Sequence, residues 1–317
     1  MLKTMTIDDK KGDAVRIPNK VKFVFGGLAG MSATLFVQPL DLVKNRMQMS
    51  GLGGEKEYRS SFHLLRSVIA NEGIFAIYNG LSAGLLRQAT YTTTRLGVYT
   101  WLFEKFSSKQ QNTSFALKAV LGLSAGAVAS FVGTPAEVAL IRMCSDGKLP
   151  AEQRRNYKNA VDALIRIFRE EGITALWRGC GPTVARAMVV NAAQLATYSQ
   201  AKEAILKTSY VHDGVFCHFL ASMVSGLATT MASMPVDIAK TRIQNMNVVN
   251  GKPEYKNGID VILKVIRNEG IFALWKGFTP YYFRVGPHTV LTFIFLEQLH
   301  ALYFKKVYGI TSVRGAI

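Results

Sequence analysis

The sequence predicts an all-α membrane protein with six transmembrane helices in three pseudo-symmetric repeats, each repeat carrying a short amphipathic helix. Three observations predict this. Motif positions recur with a period of about 100 residues. Each unit opens on an apolar run approaching the roughly 20 residues that cross a bilayer. Arginines recur in register inside the later apolar segments.

The repeat rests on many positions. Pro39, Pro135 and Pro235 lie 96 and 100 residues apart, each two residues before an acid: Asp41, Glu137, Asp237. Gly30, Gly126 and Gly226 stand nine residues upstream of the prolines. Glu72-Gly73, Glu171-Gly172 and Glu269-Gly270 recur at 99 and 98, each followed by an aromatic and a glycine: Tyr78 and Gly80, Trp177 and Gly179, Trp275 and Gly277. Seven residues beyond each of these glycines comes Arg87, Arg186 or Arg284. The predicted units are residues 21–112, 113–211 and 212–306, between a solvated N-terminal tail (1–20) and a C-terminal tail (307–317).

Each unit reads as three helices. The first is rich in small and apolar residues and runs to the proline, which is expected to kink rather than end it. Gly26 and Gly30, Gly122 and Gly126, and Ser222 and Gly226 give the spacing that lets helices approach closely. A short amphipathic helix follows, near 61–69, 160–169 and 259–267. A second long helix begins at the aromatic-x-Gly element, near 80–105, 179–206 and 277–304. An even number of spans puts both termini on one side. The long connections hold 20 Lys and Arg and the short ones five, at similar density, so charge bias does not orient the chain.

Composition narrows the function. The 317 residues carry 38 Lys and Arg against 21 Asp and Glu, a formal net charge of +17. A basic nucleic-acid binder explains that charge but not six apolar segments with in-register arginines, so no nucleic-acid partner is expected. Cys144, Cys180 and Cys217 show no CxxC spacing, and the histidines show no metal-ligand spacing. No catalytic constellation stands out, so neither an enzyme nor a metal site is expected.

Ionisable groups inside a span are costly and are functional candidates. Arg87, Arg186 and Arg284 share one position in the second helix of each repeat, and Tyr91 and Arg95 follow Arg87 on the same face. Guanidinium groups suit carboxylate or phosphate. The matching faces of the other two helices offer Asn191 and Gln194, and His288. No Asp or Glu lies in the same stretches of these helices, so the arginines are expected to be free for a small dianion. Beyond the prolines, Asp41 and Lys44, Glu137 and Leu140, and Asp237 and Lys240 stand one helical turn apart. Converging at one mouth, such ends form an ion-pair gate between helices, weak enough for a ligand to open. The helix-opening glycines Gly80, Gly179 and Gly277, with Arg178 and Lys276, are candidates for a phospholipid head group. An interfacial aromatic belt explains the same elements equally well.

The motifs Pro39-x-Asp41-x-x-Lys44-x-Arg46 and Glu72-Gly73-x4-Tyr78-Asn79-Gly80, each found three times, resemble the signature of the mitochondrial carrier family across residues 20–305. The resemblance implies an inner-membrane location with both termini in the intermembrane space and the amphipathic helices on the matrix side. It also implies bound cardiolipin, no other cofactor, and alternating access about a central site by a functional monomer. Arg87 to Arg95, Val189 to Leu195, Ala232 to Asn245 and Gly286 to Phe293 are similar to members that exchange small dicarboxylates. Carried over residue by residue, the resemblance makes Arg87, Tyr91, Arg95, Arg186 and Arg284 substrate residues. It makes Glu137–Lys240 and Asp237–Lys44 matrix-gate bridges. Gln48 and Gln244 match the family's bracing glutamine, and Cys144 stands in that place in the second repeat. Leu140 replaces the family's cation, which leaves Asp41 without its usual partner. At the cytoplasmic end the gate positions read Thr100 and Phe103, Ser199 and Lys202, Glu297 and His300, so that ionic network is mostly missing. A carrier of another small anion, such as phosphate or sulfate, and an uncoupling-type proton leak are the alternatives.

Overall fold

A computed structural model describes residues 19–50, 60–107, 115–147, 149, 152, 154–207, 215–246, 248–249 and 252–308. Both predicted tails fall essentially outside the described residues. Repeat 1 comprises α1 (Asn19–Met49), α2 (Ser61–Glu72) and α3 (Leu81–Ser107). Repeat 2 comprises α4 (Phe115–Asp146), α5 (Ala160–Glu171) and α6 (Cys180–Lys207). Repeat 3 comprises α7 (Val215–Asn245), α8 (Gly258–Glu269) and α9 (Phe278–Tyr308). The all-α expectation holds except for a hairpin of two-residue strands, Val248–Val249 against Lys252–Pro253.

The long helices pack in the cyclic order α1, α3, α4, α6, α7, α9 and back to α1, and α1, α4 and α7 also meet one another. Each has at least 27 residues, about 40 Å at 1.5 Å per residue, enough to cross a bilayer. By apolarity alone one described segment qualifies as a span, Val120–Asp146. The charged residues of the other long helices lower their hydropathy, and many of these charges face inward. Burial is correspondingly inverted: Arg46, Arg142, Gln38, Gln48 and Gln244 are sequestered, whereas Phe36, Phe131, Val224 and Phe283 are exposed. A surface of that kind fits a lipid solvent better than water.

Each proline lies within a continuous helix. A proline leaves the carbonyl four residues upstream without its helical donor. Two of these carbonyls are supplied by indoles: Trp177 Nε1 donates to Phe131 O at 3.1 Å and Trp275 Nε1 to Met231 O at 3.0 Å. The aromatic of the repeat motif thus repairs the helix at its proline.

The amphipathic helices start on side-chain caps, Ser60, Asn159 and Asn257, each accepting from the backbone N–H three residues on. They stop at Gly73, Gly172 and Gly270, whose φ of 84–89° favours glycine. Their apolar faces bury Leu64 and Val68, Ala163 and Ile167, and Val261 and Val265 against the long helices. A 3₁₀ turn then leads to Gly80, Gly179 or Gly277, again at positive φ. A Cβ there would meet Cys144 Sγ at 2.9 Å, Gln244 Cγ at 2.8 Å and Lys44 O at 3.3 Å respectively. These glycines admit the neighbouring repeat's long helix. The small-residue pairs behave less uniformly. A Cβ on Gly30 would stand 2.3 Å from Gln88 Nε2, but Gly122, Gly126 and Gly226 face open space.

Candidate functional site

Where α1, α4 and α7 converge they enclose one polar cavity, lined also by the arginines of α3, α6 and α9. The cyclic packing makes this inevitable: Arg87, Arg186 and Arg284 share one register, so three inward faces present them at one depth. Beneath them lie Asp41, Lys44 and Asn45 of α1, Glu137, Leu140 and Ile141 of α4, and Asp237, Lys240 and Thr241 of α7.

Two ion pairs bind the repeats across this floor. Lys44 pairs with Asp237, both nearly sequestered, and Lys240 Nζ donates to Glu137 Oε1 at 2.6 Å. Gln48 braces the first pair: its Nε2 donates to Asp237 Oδ2 at 2.8 Å, while Thr241 Oγ1 donates to Gln48 Oε1 at 2.7 Å. Gln244 departs from the expected bracing role. Its Nε2 donates to Thr183 Oγ1 at 3.2 Å instead. Cys144 is buried beside the Asn79 carbonyl, Sγ to O 3.4 Å.

Asp41 is not left without a cation. Its Oδ1 lies 2.7 Å from Nε of Arg284. Arg186 Nε likewise lies 2.6 Å from Asp237 Oδ1, and its Nη2 donates to the Tyr281 hydroxyl at 2.9 Å. The expectation that the arginines lack acidic partners is therefore corrected. The partner acids sit on α1 and α7, not on the arginines' own helices, and the converging bundle brings them together. Arg87, by contrast, has no acid at ion-pair distance among the described residues, and its Nε, like that of Arg186, is buried without a hydrogen bond. Partnered burial of charge is tolerable where unpaired burial costs several kcal/mol, of order 3–5 when one partner is removed.

Tyr281 carries no sequence signal as a site residue, yet it joins gate to site. Lys44 Nζ lies 4.5 Å above its ring and the Arg186 guanidinium 5.7 Å from it. The same register holds Thr183 in α6 and Gly84 in α3. Other expected ligand residues lie outside this cavity. Arg95 and Gln194 are exposed, and Tyr91 packs on α4 at Gly133, where a Cβ would approach it to 3.3 Å. Asn191 Nδ2 donates to its own helix at Ala187 O, 2.7 Å. His288 is half-buried, with Nε2 unpartnered.

A second ring lies below, built from repeat positions to which sequence reasoning gave no role. Arg46 Nε donates to Cys144 O at 2.8 Å, Arg142 Nε to Gln244 O at 3.3 Å and Arg242 Nε to Gln48 O at 3.3 Å. Each arginine thus caps the next repeat's long helix, in a closed cycle. Each also pairs with its own repeat's glutamate: Arg46 with Glu72, Arg142 with Glu171, Arg242 with Glu269. Arg178 and Lys276, expected to face a lipid head group, turn into this ring instead, 2.9 Å from Glu171 and 2.5 Å from Glu269. Arg178 also donates to Met246 O and Lys276 to Ser50 O. Burial pushes the Glu171 and Glu269 carboxyls up, but the guanidiniums of Arg142 and Arg242, with their neighbouring cations, more than offset this and hold both below the usual range. Repeat 1 has Asn79 at the corresponding position and so lacks the additional cation. At the opposite end, aromatic rings occupy gate positions: Phe25 lies beside His300 and Tyr303, and Tyr99 stacks on Phe103.

Helices in three copies around a cationic cavity, closed at one end by ion pairs between copies, define a solute carrier rather than an enzyme. The chain belongs to the mitochondrial carrier family: the family model "Mitochondrial carrier protein" matches residues 16–110, 111–209 and 211–307. It is 72% identical over 291 residues to the mitochondrial 2-oxoglutarate/malate carrier protein of Caenorhabditis elegans, covering 92% of this chain and 95% of that protein. It is 68% identical over 288 residues to the carrier of the same name from Homo sapiens, covering 90% and 92%. Mitochondrial uncoupling protein 5 of Arabidopsis thaliana is 40% identical over 303 residues, covering 89% and 97%.

Proposed function

We propose that this chain exchanges 2-oxoglutarate for malate, or related dicarboxylates, across the inner mitochondrial membrane by alternating access. The observation that carries the reading is the convergence of Arg87, Arg186 and Arg284 on one cavity whose floor is closed by inter-repeat ion pairs. High identity to carriers named for 2-oxoglutarate and malate supports the choice of substrate. In this reading the six long helices span the membrane, both termini lie in the intermembrane space, and the closed floor faces the matrix. Substrate carboxylates enter from the other side and engage Arg87 first, because Arg186 and Arg284 are paired with acids and Arg87, among the described residues, is not. They then compete with Asp41 and Asp237 for Arg284 and Arg186. That competition loosens the floor, and a returning dianion resets it with no net charge moved. Tyr91, Arg95, Asn191, Gln194 and His288 line the approach in this reading and select among dianions.

Cardiolipin is the proposed bound lipid. With Arg178 and Lys276 held by glutamates, its phosphates would rest on the backbone N–H groups that open the helices after Gly80, Gly179 and Gly277. A monomer suffices, because all three repeats of the cavity come from one chain.

Counterflow in liposomes tests the reading. Uptake of labelled 2-oxoglutarate is expected with malate inside and absent from empty vesicles. Uptake without internal substrate would overturn obligatory exchange. Preference for phosphate or sulfate, or a fatty-acid-dependent proton conductance without exchange, would replace the dicarboxylate reading.

A further inference from the structure

The charge of the cavity and its one apolar wall are linked. Five cations line it: Lys44, Arg87, Arg186, Lys240 and Arg284. Three acids oppose them, Asp41, Glu137 and Asp237, leaving a formal surplus of two positive charges among the described residues. Leu140 causes that number. It occupies the register of Lys44 and Lys240, is buried, and would stand 3.1 Å (Cδ1) from a Cβ on Gly80. A lysine there would raise the surplus to three. It would also offer Asp41 a cation of the neighbouring repeat. In its absence Asp41, itself buried, is held at 2.7 Å by Arg284.

We propose that Leu140 sets the ligand charge that this cavity accepts. By holding the surplus at two it selects a dianion over a monoanion or a trianion. Asp41 occupies Arg284 until a ligand carboxylate takes that place. The physical reason is that charge sequestered from water must be balanced locally, and any imbalance costs more as the dielectric falls. A dianion brings the closed cavity to neutrality. A monoanion leaves one cation uncompensated, and a trianion adds an uncompensated negative charge. The pairing of Arg284 with Asp41 gives the same result from the other side. A ligand with a single carboxylate satisfies Arg87 and leaves Arg284 and Arg186 on their acids, so the floor stays shut.

The inference rests on the dicarboxylate reading, and its test separates the two. Full-length protein is reconstituted in liposomes, and homo-exchange is measured with malate as the dianion probe and citrate as the trianion probe. Leu140→Lys adds one positive charge, and Asp41→Asn makes the same change without adding bulk, so either folded variant decides. Leu140→Gln alters polarity without charge. Both charge variants are expected to raise the citrate-to-malate rate ratio about tenfold, on the scale of one unit charge across roughly 10 Å at intermediate dielectric. The glutamine variant is expected not to do so. A ratio unmoved in both charge variants, or raised equally by Leu140→Gln, overturns the inference. Wild-type protein that exchanges no dicarboxylate instead defeats the substrate reading itself.

Discussion

Arg242 donates through Nε to the backbone carbonyl of Gln48, 194 residues away at 3.3 Å, and so closes the cycle that Arg46 and Arg142 begin. The same Gln48 braces Asp237 with its side chain. One residue thus belongs both to the structural ring and to the gate above it, and the two layers are mechanically joined.

The ring is unevenly reinforced, and this is measurable. Arg46→Ala leaves Glu72 without its cation, because Asn79 stands where repeats 2 and 3 carry Arg178 and Lys276. A loss of about 3–5 kcal/mol is expected on the scale of a broken buried pair. Arg242→Ala leaves Glu269 with Lys276 at 2.5 Å and is expected to cost less. Thermal unfolding of both variants in detergent, read from tryptophan fluorescence, checks the order.

Acid should loosen this layer, which is at full strength at neutral pH. Glu171 and Glu269 are held below the ordinary carboxylate range in the folded chain. A depressed folded pKa contributes stability that is complete above the unfolded value, about 4.3 for Glu, and is lost as pH falls through the folded value. The unfolding temperature is expected to hold from pH 7 to about 5 and to fall steadily below about 4. Glu171→Gln should lower it at pH 7 and flatten the acid limb, and unfolding scans across pH report both.

Tyr281→Phe removes the hydroxyl that accepts from Arg186 while retaining the ring beneath Lys44. A hydrogen bond to a charged group contributes about 1.5–3 kcal/mol. The expected outcome is an unfolding temperature lowered by a few degrees, with a KM for malate raised about tenfold. Arg186→Ala should abolish exchange in the same liposomes.

Gly277 combines a φ of +85° with close approach to α1, where an added Cβ would stand 3.3 Å from the Lys44 carbonyl and 3.5 Å from Gln48 Cγ. Gly277→Ala is expected to destabilise the fold by about 1–2 kcal/mol from backbone strain alone. Because the intrusion falls at Lys44 and Gln48, a changed exchange rate should accompany the lowered unfolding temperature.

Much of this architecture is legible in the sequence because registered repeats constrain each other. The helices fall within a few residues of the expected spans, and three arginines at one offset must share a depth once the repeats close into a ring. The pairings were not legible for a physical reason. Excluding ion pairs by searching one helix ignores acids on its neighbours, and Asp41 and Asp237 reach the arginines only where α1 meets α9 and α7 meets α6. The lower ring left a signal that spacing alone would have found, since Arg46, Arg142 and Arg242 recur at 96 and 100 like the prolines. Tyr281 left none, because its register is occupied by unlike residues in the other repeats. Arg178 and Lys276 were visible as cations, but their partners depended on how the 3₁₀ turns pack.

That unlike register has a consequence for how a ligand sits. A perfect threefold cavity would offer a small molecule three equivalent poses related by rotation. Tyr281, Thr183 and Gly84 step down in bulk from repeat to repeat, one helical turn before the arginines. Tyr281 tethers Arg186 through its hydroxyl, and Leu140 stands where Lys44 and Lys240 repeat, so the rotational degeneracy is lifted and a ligand with two different ends meets a single handed socket.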